Sequence, residues 1–259
     1  MDIYFYVPGD SILHRLDPRT KMFLLLAVLL LAVATDTPLL PGALVAASLL
    51  GAAVARAWPA LRRVRVLVGT VFTVSMGMWS LLAQGRTPLL GPVEVESVLF
   101  GVATGLKLSA MIVSSVLFLA TTRNEEIAAG LIRLGVPYSV GFAFSTALRL
   151  VPTFVGAGVT IIQAQKSRGL DVESGGLITR MRKHLPLMVP VFASALRSTN
   201  QFAMALESKG FGARPRRTDY LQLRFTLRDW LWSAAAAVGA AVALYLRFTG
   251  AGSLSGLVR

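Results

Sequence analysis

The chain has 259 residues, of which 54% are hydrophobic and only 15% are charged. Soluble domains carry about 25% charged residues, so this composition excludes an ordinary water-soluble fold and indicates an integral membrane protein. The 26 lysines and arginines outnumber the 13 acidic residues. In a polytopic protein this excess indicates cytoplasmic loops, and no basic-aromatic interleaving points to nucleic acid. Without cysteine, the chain has no disulfide and no thiolate chemistry.

Five stretches are candidates for membrane spans, since a spanning helix needs about 20 apolar residues. They cover residues 22–36, 39–57, 66–83, 98–120 and 229–248. The first two form a hairpin that breaks at "TDTPLLPG". The sequence therefore predicts an all-α polytopic membrane protein with about five transmembrane helices. Its N-terminal membrane domain covers residues 1–120, and a last helix with its tail covers 229–259.

Charge predicts the orientation of these spans. Basic residues gather before the first span and in the second connection, as Arg15, Arg19, Lys21, Arg56, Arg62, Arg63 and Arg65. The other connections hold Asp36 in one case and Arg86, Glu94 and Glu96 in the other. By the positive-inside rule, we expect a multi-pass protein of the cell membrane with a cytoplasmic N-terminus.

The block at residues 121–228 contains two further apolar stretches, 138–162 and 185–206. Arg149 and Arg197 lie within them, and each costs about 2.5–3.5 kcal/mol at the centre of a spanning helix. Spanning here would also export a group of basic residues and invert the charge bias. We therefore predict that 121–228 is a cytoplasmic or interfacial block of helices.

Helices that are apolar nearly all round, and yet lie outside lipid, need to be covered by protein. In this block they either pack on each other or offer a docking face to a partner, with methionines as adaptable contacts. The residues of the expected docking face are Leu148, Val151, Phe154, Val155, Ile162, Leu187, Met188, Phe192 and Phe202, with Met181 and Met204 as further methionines.

Two segments, "QAQKSRG" at 163–169 and "MALESKG" at 204–210, share the pattern Ala-x-x-Ser-[Arg/Lys]-Gly. A cation followed by glycine is typical of a helix C-terminus, where the cation complements the helix dipole and glycine takes the left-handed conformation. Each ending follows a Pro-x-Phe that we expect to open its helix, at Pro152 and at Pro190. The pair is an internal repeat that predicts two basic helix tips able to dock in carboxylate-bearing grooves.

Five segments in chain order resemble the transmembrane T-component of energy-coupling factor (ECF) transporters. They are "YVPGDSILHRLDPRTK", "LATTRNEEIAAGLIRLGVP", "LRLVPTF", "QAQKSRGLD" and "ALESKGFG". The resemblance covers nearly the whole chain. In that family each motif usually reads Ala-Arg-Gly, at the tips of two crossed cytoplasmic coupling helices.

The resemblance implies a non-catalytic coupling subunit of an ATP-driven importer of a vitamin or trace-metal ion. Its partners would be two ABC-type ATPases, which grip the tips, and a membrane-embedded S-component, which binds substrate and rests on the apolar face. The motifs would be Ser167-Arg168-Gly169 and Ser208-Lys209-Gly210. Serine stands for alanine in both, and lysine for arginine in the second, which loses the planar fork of the guanidinium.

Other residues weigh against catalysis by the chain itself. His14 and His184 are far apart in sequence, and no phosphate-binding or metal-binding motif is present, so we predict neither a metal nor a cofactor. Lys107, inside the fourth span, is expected to be structural, with backbone carbonyls as partners. Two alternatives stay open: an enzyme acting on lipid-linked substrates, and a membrane-anchored interaction scaffold without a transport role.

Two short segments at the ends of the 121–228 block also carry local predictions. Glu125 and Glu126 would complement the start of a helix capped by Thr122 or Asn124. The segment "RPRRTDYLQLRFTLRDW", just before the last span, would be an interfacial anchor to anionic lipid.

Overall fold

The computed structural model describes residues 6–82, 88–90, 93–170, 176–213 and 225–249. Its helices are α1 (Pro18–Ala34), α2 (Leu39–Val54), α3 (Trp58–Leu82), α4 (Val95–Thr121), α5 (Asn124–Arg133), α6 (Tyr138–Ser167), α7 (Leu177–Ser208) and α8 (Leu227–Thr249). A short antiparallel hairpin of β1 (Pro88–Leu90) and β2 (Val93–Glu94) lies between α3 and α4 in the chain. The predicted all-α fold class is confirmed, and the hairpin is an addition that the sequence did not predict.

Each of the five predicted spans falls on a helix. Judged by length and composition, α3, α4, α6 and α8 are able to cross a membrane, while α2 is a shorter apolar helix. Helix α3 begins earlier than predicted, so that Arg62, Arg63 and Arg65 lie in its first turns instead of a loop. Helix α6 also passes the length test, so its cytoplasmic position stays a prediction that rests on Arg149 and on the charge bias.

Contacts divide the chain into two compact units. Residues 1–137 and 223–259 form the membrane unit, and residues 138–222 form the α6–α7 unit. Helix α5, which the sequence analysis placed in the cytoplasmic block, belongs by its contacts to the membrane unit. Residues 214–224 of the predicted anchor segment (214–230) lie outside the described residues, as does Arg86.

Helix α4 is the centre of the membrane unit, where it contacts α1, α2 and α3. Its buried face consists largely of glycine, alanine and serine. A Cβ atom on Gly101 would lie 2.8 Å from the Met76 carbonyl oxygen, and one on Gly105 would lie 2.8 Å from Cδ2 of Phe72. Small residues at this spacing let two membrane helices approach closely, so the Gly101–Gly105 pair determines the packing of α3 on α4.

A buried polar cluster joins the N-terminal ends of α1 and α8. The Asp17 backbone N–H donates to Oδ1 of Asp229 at 2.8 Å, and the Thr226 N–H donates to Oδ2 of Asp229 at 2.9 Å. The Oδ1 atom of Asp17 caps α1 by accepting from the Arg19 N–H at 2.9 Å. Hydrogen bonds to ionised carboxylates are about twice as strong as neutral ones, so this cluster fastens the start of α8 to the start of α1.

The C-terminal end of α4 lies on the same side of the membrane unit as the starts of α1 and α8. The buried Lys21 Nζ donates to the Thr121 carbonyl at 2.8 Å and to the His14 carbonyl at 3.2 Å. The Val7 N–H donates to the Ala120 carbonyl at 3.0 Å. The start of α1, the start of α8 and the end of α4 therefore lie together, which is the arrangement that alternating spans require.

Candidate functional site

The first predicted tip is the C-terminal end of α6. The Gly169 N–H donates to the Lys166 carbonyl at 3.0 Å, and the Leu170 N–H donates to the Gln165 carbonyl at 3.0 Å. These two bonds form a Schellman motif, which requires the positive φ of 89° that Gly169 adopts. Arg168 is the last residue before this reversal, and its side chain is exposed.

The second predicted tip, at the end of α7, has the same backbone. The Gly210 N–H donates to the Glu207 carbonyl at 2.9 Å, and the Phe211 N–H donates to the Leu206 carbonyl at 2.9 Å. Gly210 has a φ of 71°, and Lys209 is exposed at the position that corresponds to Arg168. The sequence repeat is therefore also a structural repeat.

The cap alone does not distinguish these two ends. Helix α5 ends in the same hydrogen-bond pattern around Gly135, and α2 does so around Arg56. However, the residue just before the left-handed one differs. It is Leu134 in α5 and Ala55 in α2, whereas α6 and α7 have an exposed cation at this position. The distinguishing feature of the pair is therefore a cation placed just before the reversal.

The serines of the two tips turn toward their own helices. The Ser167 hydroxyl donates to the Gln163 carbonyl at 3.1 Å, and the Ser208 hydroxyl donates to the Ala205 carbonyl at 2.9 Å. A hydroxyl that is bonded back to its own helix leaves the surface of the tip to the neighbouring cation. Serine is therefore compatible with the tip geometry.

The two tips differ in their local charge. Exposed Lys166 stands two residues before Arg168, whereas exposed Glu207 stands two residues before Lys209. The first tip thus has two positive charges, and the second has one of each sign. Only the first has a guanidinium, which forms bidentate pairs with carboxylates.

An aromatic cluster shows how the two tips are spaced. Phe211, directly after the second tip, lies with its ring centroid 4.5 Å from that of Phe142, near the start of α6. Tyr138 joins them, 6.2 Å from Phe211. Because a helix rises 1.5 Å per residue, Arg168 lies about 40 Å along α6 from Phe142. The tips are therefore at opposite ends of α6, a relation that the sequence analysis did not predict.

Most of the predicted docking face is accessible on the α6–α7 unit. Met188 is 64% exposed, Phe192 is 65% exposed, and Val151 and Val155 are also exposed. Leu148, Phe154, Ile162 and Phe202 are half-buried, and Met204 is exposed, while the Met181 side chain lies outside the described residues. Leu187 is buried, with 4% exposure, so its side chain is not accessible to a partner.

The two prolines of the repeat lie inside their helices. Pro152 is within α6, and Pro190, together with Pro186, is within α7. The prediction that Pro-x-Phe opens each helix was therefore wrong. Both helices continue through these prolines for at least three turns on the N-terminal side, because a proline removes a hydrogen-bond donor without always ending a helix.

The arginines that argued against membrane insertion are exposed. Arg149 and Arg197 both reach the surface of the α6–α7 unit. The Arg149 guanidinium carbon lies 6.0 Å from the ring centroid of Phe202, a separation compatible with a cation–π contact. In this conformation neither charge is buried.

Of the two histidines, His14 has a structural role. His14 Nε2 lies 3.0 Å from the Val7 carbonyl, so it carries the proton, and Nδ1 accepts from Ser11 Oγ at 2.8 Å. Both ring nitrogens are thus used. The His184 side chain lies outside the described residues, and the described part of the chain has no group of three or more potential metal ligands.

Two local predictions need correction. Lys107 Nζ pairs with Oδ1 of Asp36 at 3.0 Å, so its partner is a carboxylate instead of the expected carbonyls. Helix α5 begins after Arg123, whose N–H donates to Oε2 of Glu126 at 3.3 Å. The N-cap is therefore Arg123, and neither Thr122 nor Asn124 has that role.

Together these features define a polytopic α-helical membrane protein whose α6–α7 unit carries two exposed basic helix ends. A family model described as "Cobalt transport protein", CbiQ, matches residues 9–220. The chain therefore belongs to the CbiQ family, whose relatives identify it as a T-component of energy-coupling factor transporters.

Named relatives extend this assignment. An "Energy-coupling factor transporter transmembrane protein EcfT" of Lactococcus lactis is 30% identical, over 87% of this chain and 90% of its own length. The protein of the same name from Brevibacillus brevis is 33% identical, over 86% and 89%. A "Putative ABC transporter ATP-binding protein" of Bifidobacterium longum is 31% identical over 88% of this chain, but the match covers 31% of that protein.

Proposed function

We propose that this protein is the non-catalytic coupling subunit of an ECF-type importer for a vitamin or a trace-metal ion. It would link two ABC-type ATPases to a membrane-embedded S-component that binds the substrate. The observation that carries the proposal is the pair of identically built, exposed cationic helix ends in a chain of this family.

The Bifidobacterium longum relative supports an ATPase partner. There, a segment similar to 88% of this chain occupies 31% of a longer protein named for ATP binding. Functions that are joined in one polypeptide in one organism often act together as separate chains elsewhere. ATP hydrolysis would thus belong to partner subunits.

The geometry of the tips supports two separate docking sites. Ends about 40 Å apart along α6 are too far from each other to enter one groove. Each would enter a groove with carboxylates on its own ATPase, where Arg168 makes a bidentate pair and Lys209 a single charge contact. ATP binding would draw the two ATPases together, move both tips and change the angle between α6 and α7.

The exposed apolar face of α6 and α7 supports a second partner. Residues such as Val155, Met188 and Phe192 leave more apolar surface accessible than a solitary soluble unit normally has. An S-component seated there would tip or be released when the angle between the helices changes. This movement is how the proposed subunit transmits work without catalysing a reaction.

The positions of three helix ends support an inference about the membrane orientation. The start of α1, the start of α8 and the end of α4 share one side of the membrane unit and bring exposed Arg15, Arg123 and Arg228 to that side. By the positive-inside rule, that side faces the cytoplasm. We infer a cell-membrane protein with its N-terminus inside.

The test is affinity purification of the tagged protein from its native membrane, followed by mass spectrometry. Wild type is expected to bring ABC-type ATPases with it, and Arg168→Glu/Lys209→Glu is expected to lose them. The matched control is Arg56→Glu, which reverses an exposed charge at a helix end of the same backbone pattern but outside the α6–α7 unit. It should retain the ATPases.

The single variants sharpen the assignment. Arg168→Glu should weaken retention more than Lys209→Glu, because the first tip has the guanidinium and no acidic neighbour at the Glu207 position. Equal or reversed losses would contradict this ranking. If no ATPase accompanies wild type, or if Arg56→Glu loses it equally, the tips are helix caps and the interaction-scaffold alternative replaces the coupling role.

A further inference from the structure

An apolar cavity of about 360 Å³ lies between α1 and α8 in the membrane unit. Its walls include Phe23, Leu26 and Leu30 on α1 and Trp230, Ala237 and Ala240 on α8. The volume is in the range of small-molecule pockets, about 300–1,000 Å³. The coupling function uses neither this cavity nor its lining.

The lining offers almost nothing to a polar ligand. Among the lining residues, Ser233 and the indole N–H of Trp230 are the polar groups, and the Ser233 hydroxyl lies 3.4 Å from Thr20 Oγ1. An apolar cavity between two membrane helices gains by filling with hydrocarbon, because an unfilled void loses dispersion contacts with its walls. The ligand class is therefore hydrocarbon.

The depth of the cavity matches a single leaflet. On α8 the lining runs from Trp230 to Ala240, a rise of about 15 Å, which is half of the roughly 30 Å hydrocarbon core. A partner's transmembrane helix would follow α8 along its whole length and would need space about 10 Å wide. A volume of about 360 Å³ along about 15 Å gives a mean cross-section of about 24 Å², which is too narrow for such a helix but suits one extended acyl chain.

The end of the cavity nearest the start of α8 is aromatic and cationic. Trp230, the first lining residue on α8, packs edge-on against Phe225 with ring centroids 5.5 Å apart, and the Arg19 guanidinium carbon lies 5.8 Å from the Phe225 ring centroid. Exposed Arg228 stands in the first turn of α8. The carboxylates of Asp17 and Asp229 are buried nearby, and Oδ1 of Asp17 lies 3.4 Å from Nε of Arg19. Asp17 therefore compensates part of the charge of Arg19, which leaves Arg228 as the more accessible cation for a headgroup. Cations and tryptophan at this level are typical of the headgroup boundary.

We propose that the α1–α8 cavity binds one acyl chain of an anionic phospholipid, whose phosphate lies at the Arg19 and Arg228 end. The site holds the lipid from the leaflet that contains the starts of α1 and α8. This inference does not depend on the coupling function, because none of its residues belongs to the tips or to the α6–α7 face.

The test is native mass spectrometry of the full chain in detergent, titrated with phosphatidylglycerol and, separately, with phosphatidylcholine of the same acyl chains. Wild type is expected to retain one phosphatidylglycerol more strongly than phosphatidylcholine. Ala237→Phe, which fills the cavity, should lose this bound lipid. Ala235→Phe is the matched control, since Ala235 is an exposed alanine of the same helix outside the lining.

Arg228→Gln tests the headgroup separately from the chain. One basic residue near a charged membrane surface changes anionic-lipid binding by about fivefold, so the variant should lose about that much preference for phosphatidylglycerol and keep binding phosphatidylcholine. Equal lipid retention by Ala237→Phe and Ala235→Phe would overturn the proposal. Loss of a copurifying protein chain, instead of lipid, from Ala237→Phe would assign the cavity to a partner helix and overturn it as well.

Discussion

The membrane unit and the α6–α7 unit are both helical and apolar, but they bury their residues very differently. The membrane unit buries small residues along α4 and fastens its helix ends with carboxylates and Lys21. In the α6–α7 unit, Gly141 and Leu187 are the only buried residues among those whose side chains are described. The helices of the first unit are held together by many contacts with each other, whereas the second unit leaves nearly all of its apolar residues accessible.

This contrast explains where the chain places its specific interactions. Internal hydrogen bonds hold the frame, including the link from Asp17 to Asp229 across 212 residues of sequence. The tips and the apolar face of the α6–α7 unit are exposed and have few long-range bonds. The proposed coupling subunit would need both properties, because a rigid frame would give moving helices a fixed support.

The largest expected effect is at Asp229. Asp229→Ala removes the acceptor for the Asp17 and Thr226 N–H groups and leaves a buried donor unpaired, at a cost of about 3 kcal/mol in the free energy of unfolding. Asp229→Asn should cost less, since one oxygen remains. Denaturant unfolding in mixed micelles measures both. Glu207→Ala, at an exposed site in the other unit, is the control and should stay within about 0.5 kcal/mol.

The same unfolding measurement decides whether the link is structural. If Asp229→Ala unfolds at the same denaturant concentration as wild type, the start of α8 is not fastened by this carboxylate. The contrast between a locked frame and an open pair of helices would then lose its main support.

Glycines provide the second comparison. Gly101→Ala places a Cβ atom 2.8 Å from the Met76 backbone oxygen, and forcing α3 away from α4 should cost about 2 kcal/mol. An added Cβ at Gly156, inside α6, meets nothing within 4 Å. Gly156→Ala should therefore stabilise the chain by up to about 1 kcal/mol through helix propensity. Thermal unfolding of the two variants is expected to shift in opposite directions.

The two glycines also test whether the α6–α7 surface is open in the working complex. If Gly156→Ala is stable by itself but loses copurifying partners, a neighbouring chain approaches α6 at that glycine. A destabilised Gly156→Ala would contradict the open surface seen here.

The sequence predicted most of what depends on neighbouring residues. Hydropathy located the five helices that were predicted as spans, and glycine after a cation located both tips, because a Schellman motif is built from consecutive residues. The start of α3 was missed because Arg62, Arg63 and Arg65 were assigned to a loop, although arginine is a good helix former. Pro152 and Pro190 were misjudged for a related reason, since proline inside a long helix does not always end it.

What the sequence did not predict depends on tertiary contacts. The Asp17–Asp229 link, the pairing of Lys107 with Asp36 and the packing of Phe211 on Phe142 each join residues from different elements. The sequence shows Lys107 as a cation inside a span, but it does not identify Asp36 as the partner. The cavity between α1 and α8 likewise exists only once the two helices are packed together.

The ends of α2 and α6 both contain a residue in the left-handed conformation. Arg56 adopts a φ of 52° at the position where Gly169 adopts 89°, and this left-handed conformation costs a side-chain-bearing residue about 1 kcal/mol or more. Arg56→Gly should therefore stabilise the membrane unit by about 1 kcal/mol. Gly169→Ala should destabilise the end of α6 by about the same amount, although its added Cβ meets no atom within 4 Å.

The readouts for these two variants differ because the regions differ. Arg56→Gly should raise the global midpoint of thermal unfolding, since Ala55 and Ala57 on either side are buried. Gly169→Ala should show as faster amide hydrogen exchange in the last turn of α6, with the midpoint unchanged. A midpoint that falls in Gly169→Ala would mean that the tip is part of a cooperative core.

The smallest expected effect on stability is at the apolar face of α7. Phe192 is 65% exposed, so Phe192→Ser should change the free energy of unfolding by no more than about 0.5 kcal/mol. Leu187→Ala, five residues away but buried, should cost about 2 kcal/mol in the free energy of unfolding through the cavity that it leaves.

If the apolar face binds an S-component, Phe192→Ser should nevertheless lose that partner in affinity purification, while the ATPases remain bound through the tips. A Phe192→Ser protein that unfolds as readily as Leu187→Ala would show that the face is packed within the chain, and the distinction between the two units would no longer hold.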